Sequence, residues 1–427
     1  MAGRPEQHPS IASVESPRAS PVGGFVELDG ETYYRIAAYH RLAPFLMSLP
    51  SNTDLWMFVA SSGGLTAGRV DAEGSLFPYR TADQLSNDHH STGPLTLIRV
   101  TSGSAGRVLW EPFCEANDEN REVERNLYKN VVGNRLVFEE VHHGLGLAFR
   151  HRWAGCDEFG WVRTATLENK SGERRWVDML DGLRNILPFG APLSLYQQAS
   201  NLVDAYKTSE VEPDTGLGIF ALTAGITDRA EALEVLRANT VWCHGPASIR
   251  VHLKIDTVAA FRHGRVLTED RTLHGTSGNY LVSNSFDLGP DETESWHFCS
   301  DVGRTHIQIA DFCHRIRDEE DIGASITRSL SQARENLRQN VGSADGIEMS
   351  GRPESWSHHF ANVLFNNMRG GVFDRNHLIP TADFRRFLQT RNTDVAERTN
   401  GLLDDLQDEV TVHELHSLVP IRKPLTA

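Results

Sequence analysis

Hydrophobic residues recur at every second position through most of this chain and at every third or fourth beyond Asp301, and no single regular structure satisfies both periods. Leu145, Leu147, Phe149 and Trp153 alternate with Gly146, Ala148, Arg150 and Arg152. Ile249, Val251, Leu253 and Ile255 alternate with Arg250, His252 and Lys254. One apolar and one polar face predicts half-buried antiparallel sheet. Such signals run from Phe25 to about Phe298, and a sheet of that size must cover its apolar face with another, so a large β-sandwich is expected. Between Thr164 and Leu180 two apolar runs flank Asn169-Lys170-Ser171-Gly172, which reads as a hairpin. Thr227 to Ala238, rich in good helix formers, predicts a short helix on the rim.

Beyond Asp301, Ile309, Phe312, Cys313 and Ile316, then Ile322, Ile326, Leu330, Ala333 and Leu337, predict two amphipathic helices ending near Asn340. Gly342 to Pro353 has linker composition. Trp356, Phe360, Leu364 and Met368 restart a helical stripe that Gly370-Gly371 ends. Further helices fit Ala382 to Thr390 and Asp394 to Leu406, and Thr411-Val412-His413-Glu414 has capping-box spacing for another. The expected division is a flexible tail over 1–24, a β domain over 25–302, a helical linker over 303–353 and further helices over 354–427.

With 42 Lys and Arg against 57 Asp and Glu, the formal charge is −15. That balance repels phosphate backbones and anionic lipid, so neither nucleic acid nor a membrane is an expected partner. Cys114, Cys156, Cys243, Cys299 and Cys313 are odd in number and never spaced Cys-x-x-Cys, which fits a reducing compartment. The first 22 residues hold Pro5, Pro9, Pro17 and Pro21 without the basic start and apolar run of a leader. Cytoplasm is the expected location.

From Asp54 to Tyr79 an apolar run, Leu55 to Ala60, meets Ser61-Ser62-Gly63-Gly64. Paired glycines after a buried strand predict a tight turn that needs positive φ or a close backbone approach. Beyond it Arg69, Asp71, Glu73 and Arg80 stand beside Trp56 and Tyr79. Planar donors, carboxylates and aromatic faces are the mix a sugar-binding cleft uses, and equally the mix of a hairpin with a solvated face.

The histidine pairs His89-His90, His142-His143 and His358-His359 consist of neighbours that diverge on a strand or helix, so no metal ligand set is expected from them. Gly144-Leu145-Gly146 lacks the third glycine of a dinucleotide loop, and neither a Walker loop nor a Gly-x-Ser-x-Gly elbow occurs. No cofactor is expected. Carboxylates are plentiful, at Glu139-Glu140, Asp178, Asp181 and Asp404-Asp405; each reads first as a solvated face. Glycoside hydrolysis usually needs two of them about 5 to 9.5 Å apart.

The order of Ser61-Ser62-Gly63-Gly64, Leu109-Trp110-Glu111-Pro112, Leu167 to Glu173 leading into Asp178 to Pro188, and Leu288-Gly289-Pro290-Asp291-Glu292 before Trp296 resembles the N-terminal β-sandwich of cellobiose-phosphorylase-type enzymes. The resemblance covers about Phe25 to Asn340 and the first helices from Trp356. It implies a mainly β plus α chain, a β-supersandwich followed by linker helices and the incomplete start of an (α/α)6 barrel. In the complete family enzymes it implies phosphorolysis of a β-glucoside, with inorganic phosphate as co-substrate and an Asp as general acid. Glu111 stands where the family has Ser, and no Asp-Trp-Asn-Asp-type string occurs. Twelve helices need on the order of 300 residues, and only about 75 follow Pro353.

The expected function is therefore that of a non-catalytic N-terminal portion of a glycoside phosphorylase- or hydrolase-like protein, binding a β-linked oligosaccharide or glucan and packing between subunits, with Trp56, Arg69, Asp71 and Tyr79 as sugar-side residues. Two alternatives stand beside it: a self-sufficient hydrolase or lyase using sandwich carboxylates such as Glu139 with Asp181, and an interaction module for a separately encoded barrel. Trp356, Phe360, Leu364, Phe384, Phe387 and Leu388 need burial worth about 1.5 to 3 kcal/mol each, more than a few short helices can enclose. Self-association is the expected outcome, homo-oligomerisation included; a stable monomer in sedimentation velocity counts against it.

Overall fold

A computed structural model of the chain describes residues 20–102, 106–226, 236–245, 248–348, 350–369 and 378–418. These build a mixed α and β structure dominated by an eleven-stranded antiparallel sheet, beside sheets of five and three strands. One cluster of buried side chains draws on all three. Phe138, Phe149 and Trp153 come from the large sheet, Ile98, Met179 and Val282 from the five-stranded sheet, and Met57, Val59 and Leu65 from the smallest.

Period two explains which side chains enter that core. Along Leu147–Cys156 the residues Leu147, Phe149 and Trp153 are buried while Arg150 and Arg152 keep contact with solvent. His151 falls in the inward register too, stacked flat on Phe138 with ring centroids 5.0 Å apart. The Ile249–Ile255 alternation is cut short. Only Arg250–His252 is strand, His252 points inward and is buried, and Ile255 precedes the helix Asp256–Arg262 with its side chain exposed. There the imidazole reaches the Thr268 carbonyl oxygen at 2.7 Å and the Ser283 hydroxyl at 2.8 Å, so the polar ring is satisfied indoors.

The expected hairpin around Asn169 is not one. Gly160–Asn169 belongs to the eleven-stranded sheet and Arg175–Ile186 to the five-stranded sheet, so the connection arches from one sheet to the other. Gly278–Leu288 and Thr293–Thr305 are joined across the sheets in the same way. Turn residues signal only that the chain reverses; they do not say which sheet receives the next strand. Asn169, fully buried, ties the two arches together. Its Nδ2 donates to the carbonyl oxygens of Glu173, Leu288 and Gly289 at 2.8, 3.0 and 2.9 Å, and its Oδ1 accepts from the Ser171 N–H and hydroxyl.

The sheet begins at Val22, inside the span expected to be a tail, and residues 1–19 lie outside the described chain. Most of the helix expected over Thr227 to Ala238 also lies outside it, and Arg237 and Ala238 open the strand Arg237–His244. The helices His306–Asp318 and Ile322–Ser343 carry the expected stripes: Ile309, Phe312, Ile326, Leu330 and Ala333 pack on Ala154, Val162 and Trp242 of the large sheet. Pro353–Met368 buries Phe360 and Leu364 against Val132, Leu337 and Val341. Its stop at Gly370-Gly371 is outside the described residues. Thr381–Arg391 and Thr393–Asp404 follow, then Val412–Leu418 with Thr411 and Glu414 exchanging capping-box hydrogen bonds. Trp356, Phe384 and Leu388 are half-buried and Phe387 is exposed. All five cysteines are free thiols. Among the described residues no helix is long and apolar enough to cross a membrane.

Asn169→Ala would strip buried carbonyl oxygens of both arches of their donor. A loss of about 2 to 4 kcal/mol is expected in chemical denaturation, against less than about 1 kcal/mol for Ser171→Ala at the partly exposed end of the turn.

Candidate functional site

Leu55–Ala60 and Leu65–Arg69 pair as a hairpin closed by Ser61 to Gly64. Gly63 takes φ of 99°, and a Cβ on Gly64 would lie 1.8 Å from the Leu85 carbonyl oxygen, so both reasons for paired glycines apply here. The hairpin delivers Arg69 to a three-carboxylate cluster. Its Nε donates to Asp301 at 2.7 Å, and its Nη1 donates to Asp54 at 2.6 Å and Asp157 at 3.1 Å. Nη2 donates to the Asp157 carbonyl oxygen at 2.7 Å. Burial works against this charge, but Asp301 and Asp54 outweigh it and hold the guanidinium above its ordinary pKa. Asp301 also accepts from Arg304 Nε at 2.9 Å.

Arg69 and Asp71 border a cavity of about 1020 Å³, which runs from this cluster past Phe189, Glu158 and Arg315 to Arg391 on the helix Thr381–Arg391. Its wall mixes carboxylates and guanidiniums, many already paired, such as Arg315 with Glu158 at 2.5 Å. Asp71 spends Oδ1 on the N–H groups of Glu73 and Gly74, capping a single 3-10 turn. Trp56 and Tyr79 do not border the cavity. They meet edge to face at 5.6 Å, with the Trp56 indole N–H donating to the Asp71 carbonyl oxygen at 3.2 Å. Of the four sugar-side candidates, two reach the cavity wall and two brace the loop behind it.

The carboxylates proposed for a self-sufficient enzyme are committed elsewhere. Asp181, fully buried, accepts from Arg163 Nη1 at 2.9 Å on both oxygens, from the Thr96 hydroxyl at 2.7 Å and from the Trp296 indole at 2.6 Å. Glu139 accepts from the Tyr128 hydroxyl, Asn126 and Arg150. Burial alone would raise its pKa, but the Tyr128 hydrogen bond and the Arg150 guanidinium prevail and hold it below the ordinary range, the reverse of what a general acid needs. Glu140 accepts from the Trp110 indole, the Phe113 N–H and Arg125. Glu111 forms a two-armed pair with Arg262 at 2.8 and 2.7 Å. Asp178 takes the Ser285 hydroxyl, and Asp404 pairs with Arg385. Neither Glu139 nor Asp181 lines any of the cavities described.

A second cavity of about 360 Å³ was missed from the sequence. His151, Arg163 and Arg184, all buried, form part of its wall, with His89, His90 and Glu115 at its edge. Burial, reinforced by Arg163, drives His151 well below the ordinary imidazole pKa, so it is neutral. Burial and the neighbouring Arg262 lower Arg184 to about 10. The expectation that adjacent histidines diverge fails at this place. His89 and His90 follow the helix Ala82–Asp88 in a turn, where their rings lie 3.9 Å apart and both Nε2 atoms face Glu115 Oε1. Divergence holds for regular strand or helix, and neither residue is in one. Nothing local in the sequence marks Glu115 as their partner.

No protein-family model and no curated protein matches this sequence. Among solved structures, a bacterial glucoamylase complexed with acarbose aligns over 86% of this chain and 52% of its own, at 8% identity and a TM-score of 0.36. A putative kojibiose phosphorylase from the human microbiome aligns over 78% of this chain and 35% of its own, at 8% identity and 0.35. A heparinase III aligns over 61% and 34%, at 9% and 0.27. The chain thus spans about half or less of these structures. Likenesses this weak decide neither the fold nor the function.

Because Glu139 has a depressed folded-state pKa, its contribution to stability is present at neutral pH and is lost as pH falls through that value, below the ordinary 4.5. Glu139→Gln should therefore lower the urea midpoint at pH 7, and the gap from wild type should narrow as the pH is taken below 4.5.

Proposed function

We propose that this chain binds a neutral carbohydrate, a β-linked oligosaccharide or glucan, in the large cavity beside Arg69, as the non-catalytic portion of a glycoside phosphorylase- or hydrolase-type enzyme. The observation that supports this most directly is the character of the wall. Carboxylates and guanidiniums share it, and Arg69, Arg304 and Arg315 are already ion-paired within it, so charged groups of both signs stand as fixed donors and acceptors around Phe189. A polyhydroxylated, uncharged ligand uses such a surface well, because each hydroxyl both donates and accepts.

In this reading the facing sheets are a β-supersandwich and the helices from Pro353 onward are the opening of an (α/α)6 barrel. Residues 20–418 supply no reacting acid in this reading, and inorganic phosphate would act only where other residues provide one. Arg69 and Asp71 frame the cavity and Trp56 and Tyr79 stiffen the loop. Exposed wall residues such as Glu158 and Arg391 make the sugar contacts.

Titration calorimetry with cello-oligosaccharides and other β-glucans should show binding. Glu158→Gln with Arg391→Gln should weaken it about tenfold, since each lost exposed polar contact is worth roughly 0.5 to 1 kcal/mol. Neither glucose 1-phosphate nor new reducing ends should appear when phosphate and glucan are supplied together. Product release, or absence of binding to every glucan tried, would overturn the reading.

A further inference from the structure

The Nε2 atoms of His89 and His90 face the same oxygen of Glu115, at 3.3 and 3.6 Å. His89 Nδ1 lies 3.0 Å from the Ser86 carbonyl oxygen, which can only accept. That nitrogen therefore carries the proton, and in the neutral ring Nε2 presents a lone pair to a carboxylate. Two acceptors facing one another repel; a cation between them turns the contact into two bonds. The two histidine-to-carboxylate spacings suit this, because ligands about 2.0 to 2.1 Å from a tetrahedral Zn²⁺ stand roughly 3.3 Å apart; the two rings, with centroids 3.9 Å apart, splay to admit the metal.

An independent feature holds the histidines in place. Arg184 is only 7% exposed and makes no ion pair with a carboxylate among the described residues. Its Nη1 donates to the His90 carbonyl oxygen at 2.7 Å, and its Nη2 donates to those of His89 at 2.7 Å and Pro94 at 3.2 Å. A buried guanidinium thus clamps the backbone of both histidines before any ligand arrives. An imidazole whose second nitrogen donates to a backbone carbonyl, as His89 does, has the fixed tautomer and orientation that metal ligation favours.

We infer that His89, His90 and Glu115 form a binding site for a divalent transition-metal ion of the zinc type at the edge of the 360 Å³ cavity. Three protein ligands leave one coordination position for water or for a ligand in that cavity. Two imidazoles select zinc, cobalt or nickel over magnesium and calcium, which prefer oxygen. The site is separate from the proposed sugar cavity, so the failure of either assignment leaves the other standing.

The test uses the untagged full chain, stripped with chelator and equilibrated with Zn²⁺ alone, then with Co²⁺ as a spectroscopic stand-in. One equivalent of zinc and visible ligand-field bands of cobalt are expected, with neither displaced by millimolar Mg²⁺. Removing a direct ligand should weaken binding at least as much as removing a supporting group, about 10- to 100-fold. His89→Ala is one such variant; Glu115→Gln is a second at an exposed position, where circular dichroism should match wild type. Failure of the wild type to hold zinc after dialysis, or full affinity in Glu115→Gln, overturns the assignment.

Discussion

One fully buried ion pair, Arg163 with Asp181, joins the two principal sheets of this protein. Arg163 and Trp296 come from strands of the eleven-stranded sheet, Asp181 and Thr96 from strands of the five-stranded sheet. Taking two charges out of water costs several kcal/mol per ion, and attraction repays it only where the remaining polar atoms are satisfied. The Thr96 hydroxyl and the Trp296 indole meet that condition on the carboxylate side; on the other, Arg163 Nη2 donates to Thr96 Oγ1 at 3.1 Å and the Phe298 ring lies 5.6 Å away, while Nε has no hydrogen-bond partner among the described residues. An apolar core would hold the sheets together at many relative offsets. The Asp181 carboxylate finds all its donors at one, so it favours the offset at which they meet.

Two further devices extend that choice along the strand Gly160–Asn169. Asn169 closes one end by bridging both sheet-to-sheet arches, and Asp157, just before the other end, accepts from Arg69. Arg69 in turn gathers Asp54 and Asp301, so the three-stranded hairpin is tied to the large sheet by charge as well as by the core. Both cavities follow from this construction. The larger opens where the Arg69 cluster meets the C-terminal helices, and the smaller lies beside the inner wall where Arg163 and His151 stand.

The carboxylates that invite an enzymatic reading are mostly structural for the same reason. Glu139 and Glu140 project to opposite sides of one strand, and each finds its own set of donors. Glu111, next to Trp110, is occupied by Arg262. The charged lining of the large cavity and the lone-pair convergence at His89, His90 and Glu115 are two different chemistries on one scaffold.

Period decided much in advance. The alternation through Leu147 to Trp153 and the three-and-four spacing of Ile309 to Leu337 are local properties of the chain that located a strand and two helices, as the paired glycines located the turn at Gly63-Gly64 and the Thr-x-x-Glu spacing the cap at Thr411. The same local evidence misassigned the link after Asn169 and the run from Ile249, because a turn signal and an apolar alternation carry no information about which neighbour a strand will take. The Arg69 partners lie 15, 88 and 232 positions away, and Glu115 lies 25 positions beyond His90. Charge clusters and ligand sets of that kind are relations between distant residues, so they exist only once the sheets have packed and tertiary contact has brought those side chains together.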